Sequence, residues 1–364
     1  MPVLEKIVVQ DFRNIELQEL EFCPNVNCIS GGNGQGKTNL LEAVWYLSMT
    51  KSPFGASDRF SCRHGCNSFS ISGLYNMENG LHSRFSIQVA DGEKKVRRDD
   101  KPCPRVSDHI GILPVVMVSP SDGTMVSDGG EDRRRFVNSV LSQTDRGYLS
   151  DAQQYTRLLL QRNRLLRDGV RDEDLLATYD LRLEQYATPI HEKRKAFVKD
   201  LTPMVGRYYE EISGGRESVG IEYRSELHHA SLQDILKQKR EQDAALRYTT
   251  AGVQRDDFIF TMDGHPIRRC GSQGQQKSFL VALKFAQYEL MRRYCGSAPV
   301  LLLDDLFDKL DPERVGNLLQ MVSGSDFGQI FITDSNKNRV NSIVSSITTE
   351  RSCFEARGGV FSKE

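Results

Sequence analysis

Apolar positions fall in two different rhythms near the start of the chain. Residues 3–10 and the mostly apolar run Val26 to Ile29 read as short strands, over 3–10 and 26–30. After the bare stretch GGNGQG, Leu40, Leu41, Val44 and Leu47 recur at helical spacing, which predicts a helix to about Thr50. From Phe69 to Arg98 the pattern is β-like, with Asp91-Gly92 as a hairpin turn. Ile110 to Val118 reads as a further buried strand, closed by Ser119-Pro120. From Glu131 to Tyr209 helix formers dominate and glycine is sparse, with the segments 150–167 and 175–200 rich in Arg, Gln and Leu. Ser213-Gly214-Gly215 breaks this region. A strand near 219–224 and a polar helix near 232–247, capped by Ser231, follow. Phe258 to Met262 is a strand ending in the turn Asp263-Gly264, and Gln275 to Tyr294 a long helix. Val300 to Leu303 is continuously apolar, the mark of a buried parallel strand. Sustained heptads and internal repeats are missing, so no long coiled coil is expected.

Composition narrows the class. The 364 residues suffice for one large or two ordinary domains. With no run of about eighteen apolar residues, no membrane span is expected. The start MPVLEKIVV lacks the form of a signal peptide. Eight scattered cysteines suit reduced thiols, hence a cytoplasmic location. The formal charge is −1, so any nucleic-acid contact must use a local patch and not a global basic field. Cys62-Arg-His-Gly-Cys66 has zinc-like spacing, but no second ligand pair follows, and a loop with ordinary thiols is preferred.

The stretch between the first strands and the first helix carries chemistry. Gly31, four residues, Gly36, Lys37 and Thr38 fit G-x-x-x-x-G-K-[ST], the phosphate-binding loop. Glycines let the backbone fold around an anion and aim its N–H groups inward. Lys37 would reach the β- and γ-phosphates of ATP, and the Thr38 hydroxyl would bind Mg²⁺. The phosphates would sit at a helix N-terminus, where dipole and free N–H groups favour negative charge.

Such a loop needs an acidic partner, and the run Val300–Leu303 ends in Asp304-Asp305. Asp304 would hold Mg²⁺, directly or through water, and Asp305 would orient or deprotonate the attacking water. Thr38 and Asp304 are 266 residues apart (304 − 38), so a large insertion must split the nucleotide-binding unit. The division expected is 1–125 and 251–364 for that unit and 126–250 for an inserted, mainly helical arm. Before the long helix stands Ser272-Gln-Gly274-Gln275, a second anion-binding helix end. A second such end makes sense if it caps the nucleotide of another subunit.

This ordered set resembles the ABC-type ATPase heads of the SMC and RecF group, in detail the RecF branch. The marks are Asp11-Phe12-Arg13-Asn14, GGNGQGKTNLLEA, Arg133-Arg134-Arg135-Phe136, Tyr155 with Gln161-Arg162-Asn163, and Gln254-Arg255-Asp256-Asp257. SQGQQKS with Ala282-Leu283-Lys284, and LLLDDLFDKLD, complete them and extend the likeness over nearly the whole chain. The resemblance implies an α/β fold: an ABC-type, SMC-like P-loop head with an inserted helical arm. It implies Walker A at Gly31, Gly32, Asn33, Gly34, Gln35, Gly36, Lys37 and Thr38, followed by Asn39. Asp304 and Asp305 become Walker B and the catalytic carboxylate. Ser272, Gly274 and Gln275 become a signature reaching across a dimer, Leu310-Asp311 the D-loop, and Arg13 a residue near the nucleotide. The family binds ATP with Mg²⁺ and DNA, at gaps, single-/double-strand junctions or duplex. It acts in gap repair and fork recovery as an ATP-dependent homodimer, and works with RecR and RecO to load RecA.

The chain departs from the family pattern in places. Where the family reads G-P-H-R-D-D, this chain has Gly252-Val253-Gln254-Arg255-Asp256-Asp257. The carboxylate pair is Asp-Asp where many ABC heads have Asp-Glu. Phe331-Ile-Thr333-Asp334 stands where most have a switch histidine. The basic runs 94–98 and 133–135 read equally as DNA contacts or as solvated faces. Other readings are a different SMC-like ATPase, such as a defence protein with a nuclease partner, a transporter ATPase subunit, or a small-molecule P-loop kinase. The signature argues against the kinase, and the missing switch histidine against the transporter.

Overall fold

The computed structural model describes residues 1–127, 129–215, 217–306, 327–337 and 350–364. Within them the strands are β1 (Val3–Phe12), β2 (Ile15–Glu21), β3 (Val26–Ser30), β4 (Ser68–Asn76), β5 (His82–Ala90), β6 (Glu93–Arg98), β7 (Lys101–Pro102) and β8 (Val115–Val118). Then come β9 (Val219–Arg224), β10 (Asp257–Met262), β11 (His265–Pro266), β12 (Val300–Asp304), β13 (Ile330–Asp334), β14 (Arg351–Arg357) and β15 (Val360–Lys363). The helices, several of a single turn, are α1 (Lys37–Met49), α2 (Asp58–Ser61), α3 (Thr124–Ser127), α4 (Gly130–Thr144) and α5 (Arg146–Arg167). They continue as α6 (Glu173–Ser213), α7 (Leu232–Gln238), α8 (Arg240–Leu246), α9 (Ile267–Cys270) and α10 (Gln273–Cys295).

Two compact units emerge: residues 1–122, 211–214 and 280–364, and residues 123–210 and 215–279. The division differs from the expected boundary at 250/251. Residues 251–279 group with the second unit because β10 pairs antiparallel with β9 along its whole length.

The first unit holds two six-stranded sheets, β2-β1-β4-β5-β6-β7 and β15-β14-β3-β13-β12-β8. The first is antiparallel; in the second, β14, β3, β13, β12 and β8 run parallel and β15 adds an antiparallel edge. Strands β3, β12 and β13 are buried at every residue, as their continuous apolar runs require. Helix α1 packs against strands of both sheets, so it buries Leu40, Leu41, Val44, Trp45, Tyr46 and Leu47 on all sides and lacks a polar face. Phe12, Tyr46 and Phe69 meet edge-on at its side, with ring centroids 5.2–5.8 Å apart. This core fixes the first turn of α1 against the ends of the parallel strands.

The second unit is built on α4, α5 and α6 and the small sheet β11-β10-β9. Its buried guanidiniums all meet carboxylates. Arg162 is fully buried and donates to Asp180, Asp243 and Thr249. Arg194 donates to Asp256 and to the Val253 carbonyl. Arg133 reaches Asp257 at 2.9 Å, and Arg134 the Asp256 carbonyl at 2.8 Å. The run 133–135 is therefore mostly internal wiring: only Arg135 is exposed, and it pairs with Glu131 and Asp132. The family's missing histidine is replaced by Gln254, whose amide accepts from Tyr155 and donates to the Ala251 carbonyl. The polar helix expected over 232–247 is two helices, α7 and α8, meeting at Lys239, and Ser231 caps the first by accepting from Asp234 N–H at 3.1 Å. No helix among the described residues is long and apolar enough to cross a membrane.

Candidate functional site

The phosphate loop leaves the buried end of β3 and turns into α1 at Lys37. Its first glycine is required by a close approach. At Gly31 φ is +150°, and a Cβ would lie 2.6 Å from the carbonyl oxygen of Ala356 on the neighbouring strand β14. The loop is braced from outside by the turn between β14 and β15: Gly359 N–H donates to the Gln35 carbonyl at 2.9 Å, and Gly358 N–H to the Gln35 side chain at 2.6 Å. Asn14 accepts from the Asn39 amide at 2.7 Å and ties the β1–β2 turn to the first turn of α1.

Lys37 is almost wholly buried. Its ammonium donates to the carbonyls of Gly31 at 2.8 Å and Gly32 at 3.1 Å, and lies 3.9 Å from the Asp305 carboxylate. The Thr38 hydroxyl donates to the Asp304 carboxylate, with oxygen separations of 2.8 and 3.0 Å. The two motifs 266 residues apart are thus in direct contact. Asp304 is held above its ordinary value by burial and, to a lesser degree, by the neighbouring Asp305 charge; hydrogen bonds from Thr333 and Thr38 and the Lys37 charge oppose that shift. A hydroxyl and a buried carboxylate facing each other at this distance are hard oxygen donors, and they fit Mg²⁺.

Thr333 stood out in the sequence only as part of the stretch that replaces a switch histidine, with no role assigned to it. It is fully buried at the end of β13, opposite Asp304 in the parallel register. Its hydroxyl donates to Asp304 at 2.7 Å and accepts the Asp305 N–H at 3.0 Å. Asp334, beside it, accepts from Asn336 N–H at 2.7 Å. No signal within the chain's local pattern would have found Thr333, since the strand register alone brings it to the carboxylates.

Arg13 has a φ of 56° and spends its guanidinium on α1. It forms a bidentate pair with buried Glu42, at 2.6 and 2.9 Å, and donates to the Phe60 carbonyl at 2.7 Å. Arg13, Asn14 and Asn39 line a cavity of about 900 Å³ together with Phe60, Arg63 and His64. Cys62 and Cys66 line it too; burial, then the nearby Cys66, pushes the Cys62 thiol up. No cluster of three metal-ligating side chains is found among the described residues.

The signature residues lie in the second unit. Ser272 and Gln275 form a reciprocal cap on α10: Ser272 N–H donates to the Gln275 side chain at 2.7 Å, and Gln275 N–H to the Ser272 hydroxyl at 3.3 Å. Gln275 also donates to Glu217 at 2.7 Å, and Ser272 is exposed. Asp311 and its D-loop lie outside the described residues.

The comparisons with known proteins concern the fold and the family. The model of the RecF/RecN/SMC N terminal domain matches residues 3–353. A DNA replication and repair protein RecF from Parabacteroides distasonis is 40% identical over 357 residues, 98% of this chain and 98% of that protein. A solved structure of the recombination mediator protein RecF with ATP, of the RecFOR pathway, superposes with a TM-score of 0.90 at 29% identity, covering 100% of this chain and 98% of that one. An Smc head from Pyrococcus furiosus, at a TM-score of 0.59 and 14% identity over 100% of this chain and 96% of that one, shares the fold. The chain belongs to the RecF/RecN/SMC N-terminal domain family of ABC-type ATPase heads and, within it, to RecF.

Proposed function

We propose that this chain is an ATP-dependent DNA-binding protein of recombinational repair and replication-fork recovery. In this reading two ATP-bound copies pair through their heads and clamp DNA at gaps, junctions or duplex. Slow, DNA-dependent hydrolysis releases it, and RecR-like and RecO-like partners help load RecA. Residues 1–125 and 251–364 act as the head, with 251–279 packed in the second unit beside β9, and 126–250 act as the arm.

The observation that carries the reading is the contact of Thr38 with Asp304, with Lys37 and Asp305 beside it. The loop N–H groups and the α1 N-terminus bind phosphate oxygens. Lys37, parked on two carbonyls, turns its charge to the β- and γ-phosphates. Thr38 and Asp304 hold Mg²⁺, which when bound neutralises charge on the phosphates. Asp305 orients and deprotonates the attacking water. Ser272, Gly274 and Gln275 cap the γ-phosphate of the partner copy, a role that suits an exposed helix start already ordered by its own cap. Arg13, held by Glu42, borders the cavity in which the nucleoside lies.

For DNA, the outer face of the antiparallel sheet supports a contact. Lys95 and Arg97 on β6 stand opposite Gln88 and Ser86 on β5, with Ser70 and Ser72 next in line on β4. Lys95, Arg97 and Arg84 are exposed, whereas Lys94 turns to the other side and pairs with Asp58 at 2.8 Å. Cations beside hydroxyls and amides suit a phosphate backbone.

Light scattering with and without ATP and DNA tests the proposal. The wild-type mass should double with ATP. Lys37→Ala should stay monomeric, and Ser272→Arg should bind ATP yet fail to pair. Full pairing of Lys37→Ala would remove the phosphate loop from the mechanism.

A further inference from the structure

The position next to the carboxylate pair, where other ABC heads carry a histidine, raises the question of what does its work here. Strand β13 runs Ile330-Phe331-Ile332 and then places a hydroxyl, Thr333, in a site with no solvent exposure. Valine would fill the same volume and suit a strand equally well. A buried hydroxyl costs free energy unless it is bonded, so its presence asks for a reason beyond packing.

The reason lies in its two bonds. The single Thr333 proton goes to Asp304 Oδ1 at 2.7 Å. Its lone pair receives the Asp305 N–H at 3.0 Å. Asp305 has a φ of 43°, in the left-handed region that a non-glycine residue enters only when its surroundings hold it there. That turn directs its carboxylate to within 3.9 Å of the Lys37 ammonium. The other hydroxyl on Asp304 belongs to Thr38, which on the reading above also serves Mg²⁺. Thr333 is the donor that stays with Asp304 when Thr38 turns to the ion.

We infer that Thr333 is a positioning residue, which orients Asp304 for the metal and fixes the left-handed Asp305 peptide so that both carboxylates face the phosphate loop. This rests on the proposed ATPase reading. It gives one hydroxyl, on the strand between the two motifs, control over both metal binding and the aim of the candidate base.

The test uses the full chain with three readouts: the Mg²⁺ midpoint of ATP hydrolysis, turnover at saturating Mg²⁺, and binding of a fluorescent ATP analogue in EDTA. Thr333→Val keeps shape and removes both bonds. It should raise the Mg²⁺ midpoint about 10–100-fold, the usual effect of losing a partner of a metal ligand, and lower turnover, with binding in EDTA nearly unchanged. Thr333→Ser keeps the hydroxyl and loses a methyl, and it should return all three readouts close to wild type. If packing were the role, serine would be the worse variant, so a serine variant as defective as valine overturns the inference. So does a wild-type Mg²⁺ midpoint and turnover in Thr333→Val. Lys37→Ala and Asp304→Asn run alongside. If neither alters nucleotide binding or Mg²⁺ dependence, the ATPase reading itself is wrong. If both do and Thr333→Val does not, only the positioning role is.

Discussion

Alanine at Gly359 should damage the nucleotide site from the far end of the chain, and alanine at Gly358 provides the control. Both glycines lie in the β14–β15 turn with positive φ, 58° at Gly358 and 87° at Gly359. A left-handed alanine costs about 1–2 kcal/mol at either position. At Gly358 a Cβ meets nothing within 4 Å, so that is the whole cost. At Gly359 a Cβ would overlap the Asn14 backbone carbonyl, which cannot rotate away as a side chain would. Crowding of this kind adds about 1–3 kcal/mol. The melting temperatures of the two variants should therefore differ by roughly 2–12 °C, with Gly359→Ala lower. Relief of the clash moves the turn away from Asn14 and from the Gln35 carbonyl that Gly359 N–H supports. Losing that bond should weaken ATP binding roughly fivefold, measured by calorimetry on protein well below its melting point. Equal melting temperatures and equal ATP affinities for the two variants would refute the idea that this turn braces the phosphate loop.

Three further outcomes are expected. Asp305→Asn should bind ATP and Mg²⁺, hydrolyse about 10²–10⁴-fold more slowly, and persist as a dimer on DNA; a wild-type steady-state rate would show that Asp305 is not the base. Because Asp304 is raised above its ordinary value of 3.8, the folded protein keeps a proton there that the unfolded chain loses. The associated stability is present below about 3.9 and is lost as pH rises through the raised value. Thermal melts without Mg²⁺ should accordingly show Asp304→Asn gaining on wild type as pH rises through that window, and a constant difference would contradict it. Reversing Lys95 and Arg97 to glutamate should weaken DNA binding and flatten its dependence on log salt by up to about 1.8, at about 0.9 per lost phosphate contact; an unchanged slope would place the DNA elsewhere.

What the chain discloses locally and what it hides follow from range. The phosphate loop, its helix and the Asp304-Asp305 strand end were legible because each is a short pattern with its own chemistry. Strand β2 was missed because only Ile15 and Leu20 of IELQELE are buried, which leaves too faint an alternation. Ile110 to Val118 looked like one strand, yet only Val115–Val118 pairs, since Gly111 and Pro114 interrupt the run. The C-terminal strands escaped because Ser352, Phe354 and Ala356 alternate with charged or polar neighbours, a pattern that also suits a loop. Arg133 was ambiguous for a different reason. Its carboxylate, Asp257, is 124 residues away, and no local pattern can tell a buried paired guanidinium from a solvated one. Thr333 is the extreme case, since its meaning appears only in the register of β12 on β13.

Strand order also bears on the charge balance of the site. The loop strand β3 and the aspartate strand β12 are not neighbours; β13 lies between them. With parallel strands about 4.8 Å apart, the end of β13 must fall between the phosphate loop and Asp304. A large side chain there would push the two motifs apart, and Thr333 is small, with its hydroxyl bonded to Asp304 and to the Asp305 N–H. Next along β13, Asp334 faces Ser30 in the register with β3. The adjoining ends of β12 and β13 thus bear Asp304, Asp305 and Asp334, and the Lys37 ammonium lies 3.9 Å from the Asp305 carboxylate. Polyphosphate is itself strongly anionic and would be repelled by carboxylates this close to it. A divalent cation on Thr38 and Asp304 would offset that repulsion and favour the charged form of Asp304, which burial disfavours first and the Asp305 charge to a lesser degree. On this account metal and nucleotide bind as a coupled pair, with the carboxylates at these two strand ends supplying the charge that makes each depend on the other.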